Sequence, residues 1–166
     1  VYMPNWSAGF APQAWWFGGA LEMCGIEDLT IINTINGANR NVAFLNARNC
    51  WVKNVKSYNS NTAHFQTYLA SHVEVRHCYC YGTLNAASQS YGLLWYYAAD
   101  GLAEDNIFDR VASPLIVGSA SQGNVNSYNY CTNMLYTVSP AWMLAAFSTH
   151  AGHNAFTLWE GNLATS

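Results

Sequence analysis

The stretch NCWVKNVKSYNS, residues 49–60, decides how this chain of 166 residues is expected to fold. Its apolar residues Trp51, Val52 and Val55 are interrupted by Lys53 and Lys56. It therefore fits neither the 3.6-residue period of an amphipathic helix nor the strict alternation of a half-buried strand. A segment of this kind is either an irregular surface segment or one copy of a repeating unit.

The chain contains further copies of this stretch at intervals of about two dozen residues. The clearest copies are CGIEDLTIINT (24–34), CWVKNVKSYNS (50–60), VEVRHCYCYGT (73–83) and GLAEDNIFDRV (101–111). In this alignment Ile26, Val52, Val75 and Ala103 occupy one position. GNVNSYNYCTN (123–133) and HNAFTLWEGN (153–162) are further copies, in a register that the sequence leaves open.

A second series of short β-prone runs precedes the copies, and each run ends in small residues. The runs are NVAFLNA (41–47), HFQTYLA (64–70), GLLWYYAA (92–99), PLIVGSAS (114–121) and WMLAAFST (142–149). Each period therefore contains two short strands, joined by turns rich in Asn, Gly and Ser. One unit is too short to bury its own apolar face, whereas units stacked about 4.8 Å apart pair each strand with its equivalent in the next coil.

This pattern predicts an all-β protein, a right-handed parallel β-helix of about six coils. We expect residues 1–22, which break the rhythm, to form an irregular loop or cap and residues 23–166 to form the β-helix. A β-sandwich also has many short strands, but it does not produce position-by-position recurrence. Asn residues at the corners are expected to tolerate unusual backbone angles and to form hydrogen-bond ladders along the stack.

The amino-acid composition limits the classes of partner that the chain is expected to bind. Only 9% of the residues are charged and the net charge is -3, which argues against a nucleic acid because a phosphate binder needs a dense basic surface. No apolar run approaches the ~20 residues of a membrane span. The chain opens at Val1 without an initiator Met, so we expect a piece of a longer precursor.

The five cysteines are expected to be buried free thiols, with a Cys24–Cys50 pair as the alternative.

Several segments together resemble a known group of proteins. They are YMPNWS (2–7), GIEDLTI (25–31), NCWVKNVKS (49–57), GTLNAASQSYG (82–92), DNIFDRV (105–111) and EGN (160–162). The chain resembles the uncharacterised secreted right-handed parallel β-helix proteins of environmental bacteria, within the pectate-lyase-like superfold. The resemblance implies a solenoid and an extracellular or cell-surface location. It implies no catalytic residues, since the chain lacks the RxPxxR-like signature of pectate lyases and the Asp pairs of polygalacturonase-like hydrolases.

If the shared apolar positions point inward, the charged residues between them point outward and form two columns. The first column contains Glu27, Lys53, Arg76 and Glu104, and the second contains Asp28, Asn54, His77 and Asp105. We predict that this face binds a polysaccharide, acidic or neutral, that extends along the solenoid axis. The simpler interpretation is that opposite charges on adjacent strands form surface ion pairs, Glu27 with Lys53 and Arg76 with Glu104.

Each candidate residue has an expected role. Lys53 and Arg76, together with Glu27 and Glu104, are the predicted substrate-binding residues. His77, oriented by Asp105, is the predicted catalytic base of a polysaccharide lyase or glycoside hydrolase.

We expect neither a metal nor a cofactor, because the pair His150 and His153 lacks a third ligand at a suitable spacing. Tryptophans offer further surfaces on which sugars could stack, although most aromatic side chains in a solenoid fill its interior or cover its ends. They are Trp15, Trp16, Trp95, Trp142 and Trp159.

Two classes of function follow. The first is an extracellular β-helix that binds polysaccharide and in one version cleaves it. The alternative is a structural or self-assembling fibre, adhesin or spike segment without catalysis. Low charge, Asn-rich corners and exposed strand edges at the solenoid ends favour this alternative.

Overall fold

The computed structural model describes residues 18–35, 39–139 and 143–165, together with Ser7, Gly9, Ala11 and Gln13. These residues form 17 β-strands and no α-helix, which confirms the all-β class. The strands are β1 Leu21–Glu22, β2 Gly25–Glu27, β3 Thr30–Ile32, β4 Arg40–Leu45, β5 Ala47–Lys53, β6 Lys56–Ser60, β7 Ala63–Arg76, β8 Tyr79–Thr83, β9 Tyr91–Ala99, β10 Leu102–Glu104, β11 Ile107–Asp109, β12 Ser113–Gly118, β13 Val125–Ser127, β14 Tyr130–Thr132, β15 Phe147–His150, β16 Leu158–Glu160 and β17 Leu163–Ala164. Within the described ranges, no helix has the length and apolar character needed to cross a membrane.

The strands pair only in parallel within this part of the chain, and the pairing winds them into a solenoid. One sheet has six strands in the order β3, β6, β8, β11, β14, β17. The other has 11 strands and bends to form two more faces, so a complete turn has three faces rather than the two strands expected. The parallel β-helix prediction is confirmed. About four turns are complete instead of about six, because the first described turn has no strand beside β4 and the last has strands of only 2 to 4 residues.

The predicted register is also confirmed. Val52 pairs with Ile26 on one side and with Val75 on the other, and Val75 pairs in turn with Ala103. The same column continues to Asn126 and Trp159, which fixes the register of the last two copies. Val52, Val75 and Ala103 are buried in the apolar interior of the coil. The first strand pair, Leu21 with Ala47, lies just before the predicted boundary at residue 22, and the division into cap and β-helix stays a prediction.

Single residues with positive φ, between 49° and 72°, turn the corners of the coil. In stacking order the four corner columns are Met23, Asn49, His72, Asp100, Gly123 and Phe156; Asp28, Asn54, His77, Asp105, Tyr128 and Gly161; Asn46, Leu69, Tyr97, Ser119 and Ala151; and Asn59, Gly82, Arg110 and Asn133. This left-handed region is cheap for Gly and tolerable for Asn and Asp, and it is costly for most other residues. The corners in these columns therefore account for five Asn residues and three Gly residues of the chain.

A ladder of asparagines, of which Asn106 and Asn129 are buried and Asn162 is partly buried, lies just inside one corner column. The Nδ2 of Asn106 donates to the Oδ1 of Asn129, and the Nδ2 of Asn129 donates to the Oδ1 of Asn162, each at 2.9 Å. Each Oδ1 also accepts a hydrogen bond from a backbone N–H of the preceding turn. The Oδ1 of Asn106, for example, accepts a hydrogen bond from the N–H of Cys78 at 3.0 Å. The predicted ladder is confirmed, although its members are not the asparagines that adopt positive φ.

The cysteines are free thiols, and all but Cys24 are buried. Burial raises the pKa of Cys78 to about 11 and that of Cys131 to about 12, and it raises the pKa of Cys80 well above its usual value. A thiol with so high a pKa stays protonated and packs as a small apolar side chain. The structure thus agrees with the expectation of buried thiols rather than with a Cys24–Cys50 pair.

Substitutions at Arg110 test the cost of a left-handed corner. Arg110 is exposed and has a φ of 58°. We expect Arg110→Gly to raise the free energy of unfolding by about 1 kcal/mol relative to Arg110→Ala, because glycine has no Cβ to strain. Arg110→Val should lower it relative to Ala. Urea unfolding of the three variants measures the order, and the same series at Lys56, within a strand, should place Val above Gly. Matching orders at the two positions would contradict the role of the corner.

Removing one member of the asparagine ladder tests its contribution. Asn129→Leu keeps the number and branching of the side-chain heavy atoms but leaves the N–H of Asn106 and the Oδ1 of Asn162 without their partner, so unfolding should become easier by roughly 3 kcal/mol. Asn133→Gly is the control, since Asn133 is exposed and its φ of 50° suits glycine. Thermal and urea unfolding measure both variants. Equal stability of the two would show that the ladder is dispensable.

Candidate functional site

The structure places four predicted site residues in one outward column, as expected. Glu27 pairs in register with Lys53, Lys53 with Arg76, and Arg76 with Glu104. Their side chains point outward because they alternate with the buried residues of the apolar column. We call the outward surface of β2, β5, the end of β7 and β10 the charged face.

Arg76 is held by one carboxylate on its own strand, β7, and by one on the neighbouring strand β10. Its Nη2 lies 2.6 Å from the Oε2 of Glu104, and its Nη1 lies 3.7 Å from the Oε2 of Glu74. The predicted surface pair between Arg76 and Glu104 is thus present. An ion pair this exposed stabilises the fold by roughly 0.2–1 kcal/mol. Because its charge is already balanced, Arg76 is less available to an incoming anion than the sequence suggested.

The expected ion pair between Glu27 and Lys53 is not formed. The Oε1 of Glu27 instead accepts a hydrogen bond from the indole Nε1 of Trp51 at 2.6 Å. Lys53 has no ion-pair partner among the described residues. Lys53 is therefore a cation on the charged face whose ammonium group is free to contact a ligand.

Trp51 is part of this face, and sequence reasoning did not assign it a role. It pairs in register with Gly25, and a Cβ atom on Gly25 would lie 2.0 Å from Cε2 of the Trp51 ring. The indole therefore lies flat against the backbone of the preceding turn. A pocket of about 230 Å³ borders it, lined by Glu27, Lys53 and Glu74 among others. The available signal was the alignment itself, which sets Trp51 over a glycine two positions before the charged column.

His77 and Asp105 are brought side by side, but at a corner. The Nδ1 of His77 lies 3.7 Å from the Oδ2 of Asp105, which is longer than a hydrogen bond, and the side chains are 45% and 56% exposed. Both residues have positive φ, at 54° and 52°. In the same column the Nδ2 of Asn54 donates to the Oδ1 of Asp28 at 2.6 Å. Residues that tolerate left-handed backbone are required here, so the corner alone accounts for these residue types. The catalytic roles of His77 and Asp105 stay predictions.

The tryptophans proposed as sugar-stacking surfaces have different positions. Trp95 is fully buried and its Nε1 donates to the Oδ1 of Asn126 at 2.8 Å, so it fills the interior of the coil and offers no stacking surface. Trp159 is partly buried and packs against Phe147, with ring centroids 5.9 Å apart. The remaining three lie outside the described residues; they are Trp15, Trp16 and Trp142.

The described part of the chain contains no group of three or more His, Cys, Asp or Glu side chains arranged to hold a metal ion. No protein family, curated protein or solved structure matches the chain. The function must therefore be argued from the geometry of its own surfaces.

His64 is a buried histidine inside the coil rather than part of a turn. Its Nε2 donates a hydrogen bond to the carbonyl of Gly82 at 2.9 Å. Its Nδ1 accepts a hydrogen bond from the hydroxyl of Ser57 at 2.8 Å. This pairing requires the neutral ring. Burial lowers the pKa of His64 to about 4, although the Gly82 carbonyl acts in the opposite direction.

Acid should therefore destabilise the fold through His64. The unfolded residue takes up a proton near pH 6.5, whereas the folded residue resists protonation down to about pH 4. The free energy of unfolding is then at its full value above pH 6.5 and falls by about 3 kcal/mol between pH 6.5 and 4. Urea unfolding across this range should show a smaller fall for His64→Gln than for the wild type. His72→Gln, at an exposed corner, is the control and should keep the wild-type slope. An unchanged slope in His64→Gln would contradict the assignment.

Proposed function

We propose that the charged face binds an extended glycan, with Trp51 as the stacking surface and Lys53 as the contacting cation. The observation that carries the proposal is the indole of Trp51, which lies on Gly25 beside an unpaired Lys53. A sugar ring packs its C–H groups against the face of an indole, and that contact needs a ring held in one orientation.

The groups around Trp51 suit hydroxyl-rich ligands. The carboxylate of Glu27 fixes the indole by accepting a hydrogen bond from the Nε1 of Trp51. The same carboxylate can accept further hydrogen bonds from sugar hydroxyls. Glu74 borders the same pocket, and Lys53 can donate to a hydroxyl or a carboxylate. The column continues from Glu104 through Ser127, which is buried, to the exposed Glu160, so Glu160 is available further along the solenoid axis for another sugar unit.

We further infer an extracellular or cell-surface location and a relation to the pectate-lyase-like β-helix proteins. The low fraction of charged residues and the resemblance of the quoted segments support this inference. Cleavage of a bound glycan would fall to His77 with Asp105, one position beyond Arg76 and Glu104 in the chain. The exposed position of this pair favours binding over cleavage, because at 3.7 Å no hydrogen bond from Asp105 holds the imidazole of His77 in one orientation.

A self-assembling structural segment is the second candidate. Apolar side chains are exposed on the last described turn, with Phe156 86%, Leu158 48% and Leu163 56% accessible. Such side chains, beside strand edges that pair with no further strand of the described residues, favour association with another β-edge. Filaments that form with rising protein concentration, without glycan binding, would support this candidate over the first.

Removing the stacking surface tests the glycan proposal. Affinity electrophoresis against a panel of soluble polyuronates and neutral glycans should show retardation of the wild type by at least one of them. Trp51→Ala should weaken that binding about tenfold or more, since an aromatic anchor commonly contributes ~1.4 kcal/mol or more. Lys53→Met should weaken it less, by roughly threefold to tenfold.

The matched control is Tyr81→Ala, which removes an aromatic side chain from the outward side of the six-stranded sheet. It should bind as the wild type does. Binding by Trp51→Ala and Tyr81→Ala to the same extent would move the site away from the charged face. The absence of retardation by any glycan of the panel would reject the proposed function.

A further inference from the structure

A second pocket lies on a different face of the coil from Trp51. We call the outward surface of β4, the first half of β7, β9, β12 and β15 the groove face. The pocket has a volume of about 340 Å³, within the range of small-molecule sites. Its lining includes Arg40, Gln66, Tyr91, Tyr96, Gly118 and His150.

The pocket exists because one outward column loses a side chain. In that column Tyr96 pairs with Gly118, and Gly118 pairs with His150. The absent side chain of Gly118 leaves a gap between the Tyr96 ring and His150. Leu94 and Ile116, in the adjacent outward column, form the apolar floor and are only 9% and 7% exposed.

The side chains of Arg and His around this gap can carry positive charge, and the other polar side chains are neutral. The Nε of Arg40 donates to the Oε1 of Gln66, which fixes the guanidinium plane and leaves its Nη groups without a bond to any described residue. No described carboxylate forms an ion pair with Arg40, and no acidic side chain is among the described lining residues. His150 is a second group that can carry positive charge. An oriented guanidinium without a carboxylate partner suits a planar anion.

Tyr96 supplies a flat and rigid wall. Its ring packs edge-on against Tyr97 with centroids 4.6 Å apart, and it lies 5.6 Å from the ring of Tyr68. Tyr91 and Gln66 add a hydroxyl and an amide at the same opening. An aromatic wall, neutral hydrogen-bonding groups and one oriented cation match a sugar ring that carries a carboxylate.

We propose that this pocket binds a single uronic-acid unit, with its carboxylate on Arg40 and its ring against Tyr96. The site is independent of the charged face, because it lies on a different face of the coil and shares no lining residue with the pocket beside Trp51. Each site can therefore fail without the other.

Titration calorimetry with D-glucuronate, D-glucose and acetate tests the proposal. Wild-type protein should bind glucuronate at least tenfold more tightly than glucose or acetate. Arg40→Gln should remove the preference for glucuronate, because the charge is lost while the hydrogen bond to Gln66 can be kept. Arg48→Gln is the matched control, since Arg48 pairs with Glu22 elsewhere on the coil and should leave glucuronate affinity unchanged.

Filling the gap provides a second variant. A Cβ on Gly118 would meet its nearest atoms at 3.4 to 3.6 Å, which is ordinary contact, so Gly118→Val should fold and place its methyl groups in the pocket. Glucuronate binding should be lost at an unchanged melting temperature. Trp51→Ala should bind glucuronate as the wild type does, even if the glycan panel fails. Equal affinity for glucuronate and acetate, wild-type binding by Gly118→Val, or no binding of glucuronate would each overturn the proposal.

Discussion

The fold depends on single residues that bend the chain through the left-handed region at the same place in every turn. In a stack of parallel strands, a bend on one strand must be matched on the next or the ladder of hydrogen bonds breaks. The column from Asp28 to Gly161 shows this constraint. Backbone N–H groups of its corner residues donate to the carbonyl of the residue that precedes the corner in the next turn. The N–H of Asn54, for example, donates to the carbonyl of Arg76 at 3.1 Å. Each non-glycine corner costs about 1 kcal/mol. The ladders on either side offset that cost.

The sequence predicts the stacking well and the corners only in part. Val52 over Val75 follows from recurring apolar residues, because strands that stack must fill the same interior position turn after turn. Asn54 and Gly123 also carry a visible corner signature. Leu69, Tyr97 and Arg110 do not, since their own preference is for negative φ and the neighbouring strands impose the bend. This is why the third face escaped prediction.

The same difference separates the two candidate sites. Charged residues are scarce in this chain, so their alignment from Glu27 to Glu104 could be read directly from the recurring pattern. The contacts that give those residues their roles could not be read from the pattern. Whether Glu27 faces Lys53 or Trp51 depends on side-chain packing between turns, and Trp51 takes the carboxylate. Arg40 and His150 are farther apart in sequence than any repeat, and only the coil brings them to one pocket.

Glycine in an outward column is the feature that both sites share. The interior of the coil is filled, so a ligand can bind only where the outer surface has a gap, and an outward strand position normally fills its own space. Gly25 lets the ring of Trp51 lie on the backbone, and Gly118 leaves the space next to Tyr96 open. In each case the glycine adjoins an aromatic residue on the neighbouring strand and charged groups nearby. Because these glycines occur once in their described columns rather than in every turn, the solenoid has separate local gaps in its outer surface instead of a periodic one, and each proposed ligand is placed against one such gap.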